Sequence, residues 1–140
     1  MKAEVFLPED YRPAEGEPFM NDLQLEYFRR KLIVWRQELL SQSAETIDNL
    51  QDSGRNVADI ADRASEETDR ALELRTRDRQ RKLVSKIDAA LRRIENGEFG
   101  YCEITGEPIS LKRLDARPIA TMTLEAQEKH ERRERVHRDD

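Results

Sequence analysis

The sequence predicts a mainly α-helical protein: a long antiparallel coiled-coil hairpin, a small α/β-hairpin globular knob at its base, and a C-terminal helix. Three observations lead there. Two charge-rich stretches of more than thirty residues, starting at Phe19 and near Ala58, carry apolar residues at largely three- and four-residue steps, which is the seam of a coiled coil. A short polar turn, "DSGRN", separates them, so the two stripes are hidden only if the chain folds back on itself. Charged residues make up 39% of the 140 residues and aromatics only 6%, a balance that suits an extended helical form better than one compact core.

Taken in order, residues 1–18 ("MKAEVFLPEDYRPAEGEP") hold three prolines and a glycine among acids and are expected to form an irregular arm. The coiled-coil hairpin is expected over 19–96. Its first seam is Leu25, Phe28, Leu32, Trp35, Leu39, Thr46 and Leu50, with Trp35 in the core; its second is Ala64, Ala71, Leu74, Leu83, Ile87, Leu91 and Ile94. At 1.5 Å per residue each arm would be roughly 50 Å long, which puts the turn, near 52–62, at the far tip. The small residues Ala58, Ala61 and Ala64 imply close packing there. "NGEFG" ends the second helix. Residues 97–140 form the knob: "YCEITGEPISL" reads as a short hairpin with Gly106 and Pro108 in its turn, and "TLEAQEKHERRERVHRD" as a terminal helix.

Charge is divided along the predicted hairpin. Residues 45–69 hold eight acids and two arginines, a net charge of −6, and residues 70–86 hold seven bases and two acids, a net charge of +5. A solvated coiled coil usually intersperses signs, so the separation points to function. The whole chain carries −5, which argues against a general nucleic-acid binder, because that activity needs a basic surface. No apolar stretch approaches the ~18 residues of a membrane span, and "MKAEVFLPED" has no targeting pattern, so a cytoplasmic location is expected. One cysteine forms no internal disulfide.

The stretch 99–130 has the look of a small metal module. Structural zinc takes four thiolate or imidazole ligands, commonly as two Cys-x-x-Cys pairs. Here the first pair of slots reads Cys102 and Thr105, and the second reads Thr123 and Ala126. One thiol, two hydroxyls and a methyl do not make that site. His130 and His137, seven residues and roughly 10 Å apart along a helix, are not a chelating pair and are expected to face solvent. The knob is therefore expected to close by packing of Phe99, Tyr101, Ile104, Ile109, Leu111, Leu114, Ile119, Met122 and Leu124. Thr105 would serve a turn and Thr123 would cap the last helix. Cys102 is expected to be a buried remnant, with nothing nearby that clearly lowers its pKa.

Four motifs, "DIADRA" (59–64), "LELRTRDRQRKLVSKI" (72–87), "GEFGYCEITG" (97–106) and "LDARP" (114–118), occur in an order and spacing that resembles the DksA/TraR family of bacterial transcription factors. The resemblance covers nearly the whole chain after the arm. It implies a protein that is not an enzyme and binds RNA polymerase without binding DNA; a monomer is expected because the hairpin satisfies its own seam, and no membrane partner is expected because no apolar stretch is long enough. It implies that the coiled coil enters the polymerase's secondary channel, that promoter complexes are destabilised or remodelled, and that the alarmone ppGpp strengthens the effect. Carried over by position, the family's tip signature falls on Asp59, Asp62 and Ala64. Its ppGpp and channel-rim residues fall on Leu83, Lys86 and Arg117, with Arg79 a further polymerase contact. One basic position of the last helix is occupied by Gln127, which would weaken the alarmone site. No cofactor is implied beyond ppGpp as effector. The slots Cys102, Thr105, Thr123 and Ala126 mark a branch that does not require zinc.

From the residues alone, Asp59 and Asp62 are equally a helix start with a favourable dipole interaction, and the basic residues of 70–86 equally a set of ion pairs on a solvated face. A non-transcriptional coiled-coil adaptor therefore stays open. So does a Gre-like transcript-cleavage factor, in which the paired acids would hold magnesium.

Overall fold

A computed structural model of the protein describes residues 5–53 and 60–139, with side chains described except at 46, 47, 49–53, 60–63, 138 and 139. Four helices account for most of it: α1 (Asp22–Ser53), α2 (Ile60–Asn96), α3 (Leu111–Ala116) and α4 (Leu124–Asp139). Residues 5–21 run as turns and irregular chain. The expected turn with Gly54 and Asp59, and the packing of Ala58, Ala61, Thr46 and Leu50 near it, lie outside the described residues and side chains.

The chain divides into two compact units, one made of Met1–Leu32 with Ala89–Asp140, the other of Ile33–Asp88. In the second unit α1 and α2 run antiparallel. Arg36 reaches Asp88 at 2.8 Å, and Gln80 donates to Gln42 at 3.0 Å, so advancing along one helix retreats along the other. Leu39 and Ile87 are buried in it. Toward lower numbers on α2 the inward positions become Gln80, Arg77 and Glu73, all half-buried.

This corrects the seam expected from sequence. Leu74 is 44% exposed, and Ala71 and Ala64 are exposed as well. The reason is helical phase: Leu74 is nine residues from Leu83, two and a half turns, which puts it on the opposite side of α2. Trp35, expected in the core, is only half-buried.

The first unit has the denser core. Phe28, Leu32, Ala90, Ile94, Phe99, Ile109, Leu111, Leu114 and Ile119 are buried, with the Phe28 and Phe99 rings 5.5 Å apart between centroids. Tyr101, Ile104 and Leu124, expected in this core, are exposed instead. Tyr101 uses one face of its ring against Phe19 in an edge-on contact at 5.3 Å.

The hairpin shrinks, among the described residues, to a single antiparallel bridge between Tyr101 and Pro108. Proline offers no N–H for a longer ladder, so Pro108 sits in the bridge and Gly106, with φ 74°, makes the turn. Three backbone bonds hold it: Cys102 N to Glu107 O, Gly106 N to Cys102 O, and Ile109 N to Gly100 O. The short helix α3 was not anticipated from sequence. Ser110 caps it, accepting from Arg113 N at 3.2 Å, and six residues are too few for a periodic signal.

The start of α1 is tied to the arm by a buried glutamine. Asn21 accepts from Gln24 N at 2.9 Å as a helix cap. The Gln24 side chain, 0% exposed, accepts from Met20 N at 2.7 Å and donates to Ala14 O at 3.4 Å. This places Met20, itself at φ 54°, and Phe19 directly over Gly100.

A Cβ at Gly100 would lie 2.8 Å from Met20 Cε, 3.1 Å from Met20 Cγ and 3.2 Å from Phe19 Cζ, on a backbone at φ 93°. Gly100→Ala is therefore expected to destabilise the protein by about 1–3 kcal/mol in urea unfolding, from crowding and left-handed strain together. Gly16→Ala, which meets nothing within 4 Å, should change stability by no more than about 0.5 kcal/mol. Equal effects would show that the approach over Gly100 contributes nothing.

Candidate functional site

Arg79, Leu83 and Lys86 lie at i, i+4 and i+7 on α2, a spacing that places them along one face. Arg79 and Lys86 are exposed and Leu83 is half-buried, so two cations flank an apolar residue that is partly used in the seam. Ion pairs could have absorbed this basic stretch. Among the described residues the only one within 70–86 is Arg81 with Asp78, at 3.8 Å and largely exposed, and neither Arg79 nor Lys86 is paired. Such an exposed pair contributes little.

Of the expected tip residues, Asp59 lies outside the described residues. Asp62 falls in the first turn of α2, its side chain outside the description, and Ala64 is exposed. Gln127 is half-buried and donates to Glu131 at 3.1 Å along α4.

Arg117 belongs to the other unit, where it ends α3. Its N–H donates to Arg113 O at 2.8 Å, its carbonyl accepts from Ala120 N at 3.0 Å, and Pro118 and Ile119 behind it are buried. Its side chain is exposed. Two residues earlier stands a cluster that sequence reasoning missed. The Asp115 carboxylate accepts from the Tyr27 hydroxyl at 2.5 Å and from Lys31 Nζ at 2.7 Å, and Lys31 also donates to the Asp115 carbonyl. Arg12 lies 6.0 Å from the Tyr27 ring centroid. Burial pushes the Asp115 carboxyl up, but the bonds from Lys31 and Tyr27 outweigh it and hold the group below its ordinary value. Burial, followed by the bond to Asp115, raises the Tyr27 phenol. The i, i+4 spacing of Tyr27 and Lys31 was visible in the sequence; the partner 84 residues away from Lys31 was not.

The four slots do not form a metal site. Cys102 is 3% exposed and Ala126 is 7% exposed, so the fourth slot is filled by a buried methyl group. Thr105 Oγ1 accepts from Glu107 N at 3.2 Å, and Thr123 Oγ1 accepts from Ala126 N at 3.2 Å as the cap of α4. Both threonines thus do the local work expected of them. Among the described residues no group of three or more His, Cys, Asp or Glu could hold a metal ion. His130 and His137 are exposed, and His130 meets Glu134 at 3.1 Å. A zinc ion bound by four thiolates does not fit these residues.

The thiol itself departs from expectation. Burial raises its pKa, but the Thr105 hydroxyl and the backbone N–H groups of Thr105, Thr123 and Ile104 outweigh burial and bring it from 9.0 to about 7. Beside the Thr105 hydroxyl, the donors belong to the backbone of the turn and of the residue before α4, which residue identity alone did not reveal.

A helical-hairpin protein carrying a finger-like module is the class that these features define. The family model described as "DnaK suppressor protein DksA, N-terminal domain" matches residues 24–94, and "Prokaryotic dksA/traR C4-type zinc finger" matches 97–132. The chain is 72% identical over 131 residues to the RNA polymerase-binding transcription factor DksA of Caulobacter vibrioides, covering 94% of this chain and 92% of that protein. It is 42% identical over 127 residues to the protein of the same name from Escherichia coli K12, covering 91% and 84%. Among solved structures, transcription factor DksA2 from Pseudomonas aeruginosa superposes with a TM-score of 0.78 at 44% identity, covering 84% of this chain and 90% of that one. The chain belongs to the DksA/TraR family. The matching knob model is a zinc-finger model, so the match does not support a branch lacking the zinc site; that reading rests on the residues in the slots.

The Cys102 pKa gives a pH dependence with a defined sign. The folded thiol ionises near 7 and the unfolded one near 9, so the unfolded state binds more protons between these values and stability rises with pH across that window. The gain, on the order of 2 kcal/mol, is lost as pH falls through about 7. Urea midpoints measured across this range should climb for the parent protein more steeply than for Cys102→Ser, whose hydroxyl does not ionise; parallel slopes would refute the assignment.

Proposed function

We propose that this chain regulates bacterial transcription initiation by binding RNA polymerase. The observation that carries this is the 72% identity, across 94% of the chain, to a relative named for binding RNA polymerase. Curated relatives are named as transcription factors, which favours a non-enzymatic role.

In the proposed mechanism the helical hairpin enters the secondary channel of the polymerase. Arg79, Leu83 and Lys86 on one face of α2, and Arg117 at the end of α3, contact the channel rim and ppGpp. Asp59, Asp62 and Ala64 act near the active centre, and promoter complexes are destabilised or remodelled. The exposed, unpaired cations Arg79 and Lys86 support this docking role, since their charge is not spent within the described residues. The protein acts in the cytoplasm as a monomer, without direct DNA contact. No helix among the described residues is long and apolar enough to cross a membrane.

The same reading holds that zinc is not needed. It is supported by Thr105, Thr123 and Ala126, which offer no thiolate and are engaged in a turn, a helix cap and the core.

The test is transcription in vitro from a stable-RNA promoter by the cognate polymerase, with and without the protein, ppGpp and a zinc chelator. Repression that deepens with ppGpp and is indifferent to chelator is expected. No effect of the folded protein would overturn the reading, and loss of repression on chelation would overturn zinc independence alone. Asp62→Asn is expected to abolish repression while polymerase affinity, measured by competition, changes less than about threefold, within the scatter typical of a substitution outside the docking contacts. A large affinity loss would assign Asp62 to docking.

A further inference from the structure

We propose that Asp115 is a positioning residue: held on α1 by Tyr27 and Lys31, it presents the guanidinium of Arg117 to an anionic ligand. This inference rests on the reading above, in which Arg117 contacts ppGpp at the polymerase. The geometry points to it in three ways.

First, α3 has only six residues, far below the length at which a helix holds itself, so its position depends on tertiary anchors. Lys31 supplies one to the backbone, at the Asp115 carbonyl, and another to the side chain, at Oδ1, where Tyr27 joins it. Second, the chain beyond is fixed as well. Arg117 makes backbone bonds to Arg113 and Ala120 and is followed by buried Pro118 and Ile119, yet its own side chain is exposed. A long cationic side chain on an immobilised backbone is pre-organised for an anion, and less ordering remains to be done on binding.

Third, the cluster directs the nearby carboxylate toward α1. Asp115 stands two residues from Arg117, a spacing at which helical side chains do not face each other, and its Oδ1 is held by Tyr27 and Lys31. Arg117 makes no side-chain hydrogen bond or ion pair among the described residues, so its donors stay available.

Full-length variants are compared in the cognate-polymerase transcription assay, reading the ppGpp concentration that gives half of the extra repression. Asp115→Asn weakens the anchor, and Lys31→Met removes it while freeing the carboxylate; the second keeps the test alive if the first does not fold. Each is expected to raise the half-effect concentration about fivefold, equal to roughly 1 kcal/mol, the cost of ordering the backbone of one residue. Arg117→Ala should raise it at least as much. The decisive arm is the pair of double variants: with Arg117 already removed, Asp115→Asn or Lys31→Met should add nothing.

If the two changes instead add in full, the cluster serves the fold and not Arg117, and the inference is overturned while the functional reading stands. It is overturned likewise if Arg117→Ala raises the concentration and neither anchor variant does, or if Arg117→Ala is without effect on a parent protein that responds to ppGpp. A parent protein that binds polymerase but ignores ppGpp overturns the alarmone reading itself, and the inference with it.

Discussion

Phe28 meets Phe99 at 5.5 Å between ring centroids, and the first unit closes around that contact. Both rings are essentially removed from water, together with Leu32, Ile109 and Leu114. Burying side chains of this size stabilises by roughly 1.5–3 kcal/mol each, before the entropy of ordering them is subtracted. Reaching the contact imposes the rest of the local geometry. Phe99 follows Gly97, at φ 75°, which ends α2, and precedes Gly100, at φ 93°, over which Phe19 and Met20 lie. The arm can lie there because Gln24 holds its backbone at Met20 and Ala14. A buried polar side chain is tolerated when its donors and acceptors are satisfied, and Gln24 meets that condition through both ends of its amide.

The slots Cys102, Thr105, Thr123 and Ala126 show how a small module closes locally. A thiolate buried without a cation would normally be costly, and burial alone would keep Cys102 protonated. Here the Thr105 hydroxyl and the backbone N–H groups of Thr105, Thr123 and Ile104 favour the ionised form and draw the thiol below its ordinary value. In the same turn the Thr105 oxygen accepts from Glu107 N. Ala126 then occupies space with a methyl group and leaves no polar atom to satisfy.

Much of this fold was legible in the chain. Alternating three- and four-residue steps marked two long helices, "NGEFG" marked the end of α2, and Thr123 followed by Glu125 marked the start of α4. What failed had identifiable causes. Leu74 is a good apolar residue in the wrong phase, and counting it as seam required ignoring the half-turn between it and Leu83. Tyr101, Ile104 and Leu124 were assigned to the core by type alone, although a module this small has more surface than interior. The Tyr27, Lys31 and Asp115 cluster joins residues 84 and 88 positions apart, and no local rule connects them. The motif "LDARP" was recognised as a unit, but its aspartate was not linked to α1. Of the candidate site, Arg79, Leu83 and Lys86 were singled out by the family resemblance, and helical spacing places them on one face; the setting of Arg117 became visible only with α3 in place.

The second unit shows why an amphipathic pattern can weaken along one helix without the helix ending. Near Leu39 and Ile87 the seam is apolar; further along α2 it passes through Gln80, Arg77 and Glu73. Gln80 donates to Gln42, while its own Oε1 is buried with no partner among the described residues. A polar pair at a seam position lowers stability but admits only alignments in which the two amides meet, so it specifies register where apolar residues would allow sliding. The charged residues beside it, Arg77 and Glu73, are half-buried. Local stability follows the density of buried apolar contacts, and these are fewer here than around Ile87. The residues placed at the proposed polymerase interface straddle that boundary: Lys86 adjoins buried Ile87, and Arg79 adjoins the glutamine pair. Docking there would engage a helix that packs an apolar residue at Ile87 and makes a polar contact at Gln80.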